Sequence, residues 1–314
     1  MKHFCILYIK THYGYFMNRI RKLFKIDHLH RQNITGKNIT VAILDTGAYP
    51  HKDFDSHIIC FRDYISFHTN SYDDNSHGTH ICGIIGGSGK MSNGLYKGMA
   101  PGCFLIPIKV LNSKGLGDSQ IIISGIRWIE ENYNKYNIRI VNVSIGTEAF
   151  SCQDEQSDLV KAIDTLWDLG ITVIASAGNN GPEYHTITTP GISRKIITVG
   201  ASSAMGNIDA TGKKFTTYSG KGPTFCDIPK PDITAPGSNI ISCYSSFNGY
   251  AKKSGTSMST PIVSGAAALI FSYNPGITNE QFKDLLCRSA RDIGLDRYTQ
   301  GCGELDLNKL FSLC

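Results

Sequence analysis

The chain has 314 residues, a formal net charge of +5, and 41% hydrophobic and 18% charged residues; that is enough apolar material for a large core, and its scattered basic residues do not indicate nucleic-acid binding. No stretch reaches the roughly 18 consecutive apolar residues of a membrane span, and no repeat or low-complexity linker divides the chain. The ten cysteines lack a CxxC pair and several, Cys82 among them, lie in apolar runs, so they read as packed, reduced thiols.

At the N-terminus the apolar stretch 4–9 is too short for a signal peptide and is followed by Lys10, Thr11 and His12 rather than by small residues. With reduced thiols, this predicts a cytoplasmic protein, with a non-classical route of secretion left open. The basic, amphipathic residues 18–26 read as a helix docked on the body or a frayed terminus, ahead of a segment lying on a membrane surface or across a functional cleft.

Residues 39–44 form an apolar, β-branched run ending at Asp45-Thr46-Gly47, a strand that runs into a turn. A polar loop follows, and then Asp73-Asp74-Asn75-Ser76-His77-Gly78-Thr79-His80 leads into a small-residue helix. The run Gly86-Gly87-Ser88-Gly89-Lys90 is not a phosphate loop, because Met91 stands where Ser or Thr is needed. Strands are predicted at 104–111, 139–145, 171–175 and 195–199, with helices at 118–133 and 156–169 between them. Residues 240–252 read as a β-ribbon. Gly255-Thr256-Ser257-Met258-Ser259-Thr260-Pro261 then opens a buried helix through 262–271, closed by Asn274-Pro275, and a last helix at 278–289 is capped by Thr278 with Gln281. Strands alternating with helices imply parallel β-α-β units with right-handed crossovers, hence a three-layer α/β/α sandwich around a mostly parallel sheet. In such a sheet the site lies at the carboxyl ends of the strands, where Asp45 and Ser144 fall.

A serine in the first turn of a helix faces unpaired amides that stabilise negative charge. As a nucleophile it needs a base, and the base needs an orienting carboxylate. His77 and Asp45 supply both residue types, each at the end of an apolar element. His77 and His80 share a helix face, but no third ligand at metal spacing accompanies them.

Leu44-Asp45-Thr46-Gly47, His77-Gly78-Thr79-His80 and Gly255 to Pro261, in that order, resemble the three signatures of the subtilisin-like serine proteases, the subtilases. Ala175-Ser176-Ala177-Gly178-Asn179-Asn180-Gly181-Pro182 resembles a fourth. The resemblance implies a serine endopeptidase with Asp45, His77 and Ser257 as its triad and Asn179 as an oxyanion donor. It implies substrate edges at Gly115, Leu116 and Gly117 and at Ser144, Ile145 and Gly146, between which an extended polypeptide pairs. Ala175, Ser176 and Ala177 complete a first pocket with no clear selector for Arg or Lys, although Glu148 is close in sequence. No cofactor is required. Asp53, with the loop 88–97, is a candidate ligand for structural calcium, although a solvated turn carboxylate is the favoured reading. Asp232 reads as structural, and 215–223 and 230–237 as connecting segments. The expected organisation is an N-terminal extension, 1–38, too short for a full pro-domain, and one peptidase domain, 39–314. The alternatives are a catalytically silent protein that binds polypeptide and a protease dedicated to leader peptides.

Overall fold

The computed structural model describes residues 17–202 and 218–314. The N-terminal stretch 4–9 and residues 215–217 of the connecting segment lie outside the described residues.

Two short helices, α1 (Met17–Leu23) and α2 (Ile26–Arg31), open the described chain. Ile20, Phe24 and Ile26 are fully or almost fully buried. The basic amphipathic segment therefore packs most of its apolar side on the body, as the docked-helix reading expects, with Leu23 left exposed. Arg21 donates to Asp27 (2.9 Å) and to the Gly94 carbonyl, and His30 Nε2 meets the Met99 carbonyl at 2.8 Å.

The body is built on seven strands: β1 (Thr40–Asp45), β2 (Arg62–Asp63), β3 (Phe104–Lys109), β4 (Ile138–Val143), β5 (Thr172–Ser176), β6 (Ile197–Ala201) and β7 (Ile233–Ala235). They form one sheet in the order β2-β3-β1-β4-β5-β6-β7, and every pairing is parallel. Strands buried on both faces read as continuous apolar runs, which is why Val41 to Leu44 and Val173 to Ala175 show no alternation. Observed strand limits differ from the predicted ones by no more than two residues.

Helices α4 (Ser119–Tyr136), capped by Asp118, and α5 (Asp158–Asp168), capped by Ser157, supply one layer. The other contains α3 (His77–Gly86) and α6 (Thr256–Tyr273). Almost the whole of α6 is buried, and it packs on α3 and on β4, β5, β6 and β7. Alanines and glycine along it permit that close approach. An antiparallel ribbon, β8 (Ile240–Cys243) with β9 (Tyr250–Lys253), leads into α6. Three helices close the chain, α7 (Asn279–Ser289), α8 (Arg297–Gln300) and α9 (Leu307–Leu313), and the Thr278/Gln281 capping box of α7 is present. The three-layer α/β/α expectation holds.

The expectation of reduced thiols fails for four cysteines. Cys152 is joined to Cys226, and Cys287 to Cys302, as disulfides. The partners lie 74 and 15 residues apart in sequence, so no local spacing announces them; chain folding brings their Cα atoms to 4.9 and 5.2 Å. Cys82, Cys103 and Cys243 are free and buried, as packed thiols should be.

Candidate active site

Asp45 ends β1, His77 begins α3 and Ser257 lies in the first turn of α6. The Asp45 carboxylate is 1% exposed and meets His77 Nδ1 at 2.8 and 2.9 Å. One Asp45 oxygen also accepts the Thr46 amide at 2.7 Å. Gly78 allows this approach: a Cβ there would collide with the Gly47 carbonyl and crowd Asp45 Oδ1. Burial pushes the His77 imidazole towards neutrality, but the charge and hydrogen bond of Asp45 outweigh it, leaving its pKa above the ordinary 6.5.

A network that motif reading missed holds this pair. Thr46 Oγ1 donates to Asp73 at 2.9 Å and accepts the Gly78 amide at 2.9 Å. Asp73 also accepts the amides of Asn75, Ser76 and Thr79 and the Thr79 hydroxyl. Fully buried Lys109 reaches the Thr46 and Leu111 carbonyls and Asp74 at 2.7 to 2.9 Å. Asp45 and His77 are thus set by fixed, charge-assisted bonds. From β9, Lys253 Nζ donates to Ser76 Oγ at 2.9 Å, immediately before His77.

His80 is fully buried, and burial, with the charges of Lys253 and His77, pushes its pKa down to about 3. Its Nε2 reaches the Ile240 and Ala251 carbonyls at 3.2 and 3.1 Å, so it ties α3 to the ribbon as a structural histidine.

Ser257 Oγ donates to the Ser144 carbonyl at 3.0 Å, and Ser144 Oγ donates back to the Ser257 carbonyl at 3.2 Å. Asn142 joins this contact through Ser144 Oγ and Ser264 Oγ, locking α6 to the end of β4. Asn179 Oδ1 accepts from the Thr256 amide and hydroxyl at 3.0 and 3.1 Å. With its oxygen anchored, the Asn179 side chain keeps its NH₂ beside Gly255, which the Ser257 amide also flanks.

A cleft of about 560 Å³ is lined by His77, Ser257 and Asn179 together with Gly115, Leu116, Gly117, Ser144, Ile145, Gly146 and Ser176. Ala175 and Ala177 are fully enclosed and do not line it; strand alternation turns them into the core. Glu148 stands at the rim and accepts from Asn180 Nδ2 at 3.1 Å. Thr188, which motif reading overlooked, also lines the cleft.

Asp53 is 2% exposed rather than solvated. Its oxygens take the Met91 amide (2.8 Å) and the Tyr250 hydroxyl (2.6 Å), and His51 and Cys243 are its neighbours. Calcium requires several converging oxygen ligands, whereas Asp53 meets hydrogen-bond donors, an imidazole and a thiol, so these residues do not fit that ion. Asp232 is structural: it pairs with buried Lys230 at 2.5 Å and with Lys283 at 3.2 Å.

The Subtilase family pattern matches residues 36–304. The chain belongs to the subtilase family. It is similar to the serine protease AprX of Bacillus subtilis (strain 168), 44% identical over 274 residues covering 81% of this chain and 62% of that protein. It is also similar to subtilisin DY of Bacillus licheniformis, 33% identical over 91% of this chain and 95% of that protein. Among solved structures, this subtilase resembles sphericase, with a TM-score of 0.73, 30% identity and coverage of 86% of this chain and 92% of that one. A cold adapted subtilisin-like serine proteinase matches with a TM-score of 0.68, 28% identity and coverage of 87% and 89%. The chain thus spans less than two thirds of AprX but almost all of subtilisin DY. No helix among the described residues is long and apolar enough to cross a membrane.

Proposed function

We propose that this chain is a serine endopeptidase that hydrolyses extended polypeptide through an acyl-enzyme. The observation that carries the reading is the Asp45–His77 hydrogen bond of 2.8 Å at the mouth of a cleft that also holds Ser257 and Asn179. His77 takes the Ser257 proton as the hydroxyl attacks the peptide carbonyl, and Asp45 holds the imidazole tautomer and stabilises its cation. The Asn179 amide and the Ser257 backbone N–H receive the oxyanion. His77 then protonates the leaving amine, and water repeats the sequence on the acyl-enzyme.

The substrate strand pairs with segments 115–117 and 144–146 on the acyl side. Its N–H groups compete for the Ser144 carbonyl, releasing the serine hydroxyl towards His77. Residues 39–314 act as one peptidase unit, with 17–31 packed against it. The residues around Asp53 give no basis for assigning calcium a role in the reaction. The two disulfides favour an oxidising compartment over a reducing cytoplasm.

The deciding experiment is labelling of the full chain with a fluorophosphonate, followed by location of the adduct. Attachment at Ser257 together with peptide hydrolysis supports the reading. Stable polypeptide binding without either supports a silent protein.

A further inference from the structure

A cluster of side chains outside the cleft takes no part in the chemistry proposed above. His51 and Asp53 lie in the loop that follows β1, Cys243 ends β8 and Tyr250 begins β9. His51, Asp53 and Cys243 are buried, and one ligand-type atom from each lies within 4.8 Å of the others. His51 Nδ1 stands 4.0 Å from Asp53 Oδ1, and Cys243 Sγ stands 3.7 Å from Asp53 Oδ2. Around a tetrahedral zinc ion such atoms are about 3.3 to 3.8 Å apart, so shifts of about 1 Å complete the set.

The Met91 amide, the Tyr250 hydroxyl and the Cys243 thiol all donate to Asp53, which marks it as an ionised carboxylate. It pairs with no lysine or arginine among the described residues, and its one ionic neighbour is His51. That imidazole is neutral: Nε2 donates to the Gly249 carbonyl at 3.1 Å, which leaves the Nδ1 lone pair to accept the Asp53 amide at 3.1 Å. The buried charge therefore lacks a counter-ion, a costly arrangement that a bound cation relieves. Supports for the ligands are already in place. The Met91 amide and the Tyr250 hydroxyl hold the two Asp53 oxygens, and the Gly249 carbonyl with the Phe54 and Tyr250 rings holds the imidazole. An imidazole, a thiol and a single carboxylate suit zinc, whereas calcium and magnesium take oxygen.

We propose that His51, Asp53 and Cys243 bind a structural zinc ion through Nδ1, a carboxylate oxygen and Sγ, with water in the fourth position. Binding displaces the Asp53 amide from Nδ1 and sends the Cys243 thiol proton to solvent. Tyr250 keeps its bond to Asp53 and, being half-buried, marks the solvent side of the site. The ion joins the loop after β1 to the ribbon, which leads into α6 and carries Lys253 to Ser76. Zinc thereby stabilises the ribbon that borders the candidate active site. The site is separate from the cleft and stands independently of the endopeptidase reading.

The test uses the full chain with Ser257→Ala, to keep self-digestion out of the measurement, freed of metal by a chelator. Zinc should bind at about one ion per chain and raise Tm by about 5 °C when held about a hundredfold above its Kd. Cobalt, a coloured stand-in for zinc, should give a thiolate charge-transfer band. Adding Cys243→Ser, which keeps the shape, should abolish the band and weaken zinc at least about 100-fold. His51→Gln should weaken zinc likewise while the thiol remains. A starting chain that binds no zinc, or whose Tm zinc does not raise, overturns the proposal whatever the variants do. Unchanged zinc affinity in a folded Cys243→Ser chain overturns it too. Should neither variant fold, anomalous scattering from crystals of the zinc-loaded chain locates the ion: one bonded to Cys243 Sγ supports the site, and one held elsewhere overturns it. None of these readouts requires peptide hydrolysis, so failure of the endopeptidase reading leaves the result intact.

Discussion

The Ser257 hydroxyl donates its proton to the Ser144 carbonyl, 3.0 Å away. A hydroxyl carries one proton, so in this state it is not shared with His77. A peptide N–H bound to Ser144 would displace it. A fluorophosphonate carrying an acyl-side peptide should therefore label at least about tenfold faster than an alkyl one of equal intrinsic reactivity. N-methylation of the competing amide should remove the advantage. Labelling kinetics on the two probes check this, and equal rates would rule out the competition.

Ser257→Ala should lower kcat by about 10⁴- to 10⁶-fold while the fold persists, because the residue anchors little of the core. Turnover by the purified variant, with circular dichroism as the control for folding, measures both parts.

Asn179→Ala removes the side-chain oxyanion donor and should cost about 10² to 10³ in kcat with little change in KM. It also strips the Thr256 amide and hydroxyl of their acceptor, so a loss of about 1 kcal/mol in stability should accompany it. Steady-state kinetics and urea denaturation separate the two losses.

The pH dependence follows from the charges around His77. Burial lowers its pKa and so does Lys253, while Asp45 and Asp73 raise it and prevail, holding it above the ordinary 6.5. Activity needs the neutral imidazole, so it should fall as pH drops through that raised value. Lys253→Met removes a lowering influence, and the acid limb of kcat/KM should move to higher pH. Movement to lower pH would contradict the electrostatic assignment.

Removing a disulfide should destabilise in proportion to the logarithm of the loop it closes. Loops of 74 and 15 residues correspond to about 4 kcal/mol for Cys152–Cys226 and about 3 kcal/mol for Cys287–Cys302 by loop-closure entropy. Denaturation of paired Cys→Ser variants gives both values.

The apolar runs and the signatures at Asp45, His77 and Ser257 were legible because strand, helix start and turn chemistry are local. The adjacency of Thr46 to Asp73, of Lys253 to Ser76, and of Thr188 to Gly146 and Gly178 was not. Each joins distant segments through side chains whose types are ordinary in any turn or strand. The cysteine pairs escaped for the same reason. Asp53 was misread as solvated because its neighbours Tyr250 and Cys243 arrive from the far ribbon. Ala175 and Ala177 sit in the right motif, but their alternation with Ser176 turns them inward.

The long buried helix α6 carries Ser257 and also fills the middle of the protein. A ribosome making this chain completes all seven strands of the sheet, with Asp45 and His77, before Ser257 emerges. Until then the nascent polypeptide has neither an attacking group nor a finished interior. On the proposed reading, the nascent chain cannot cut itself before α6 is made, because the helix that completes the interior also brings in the serine.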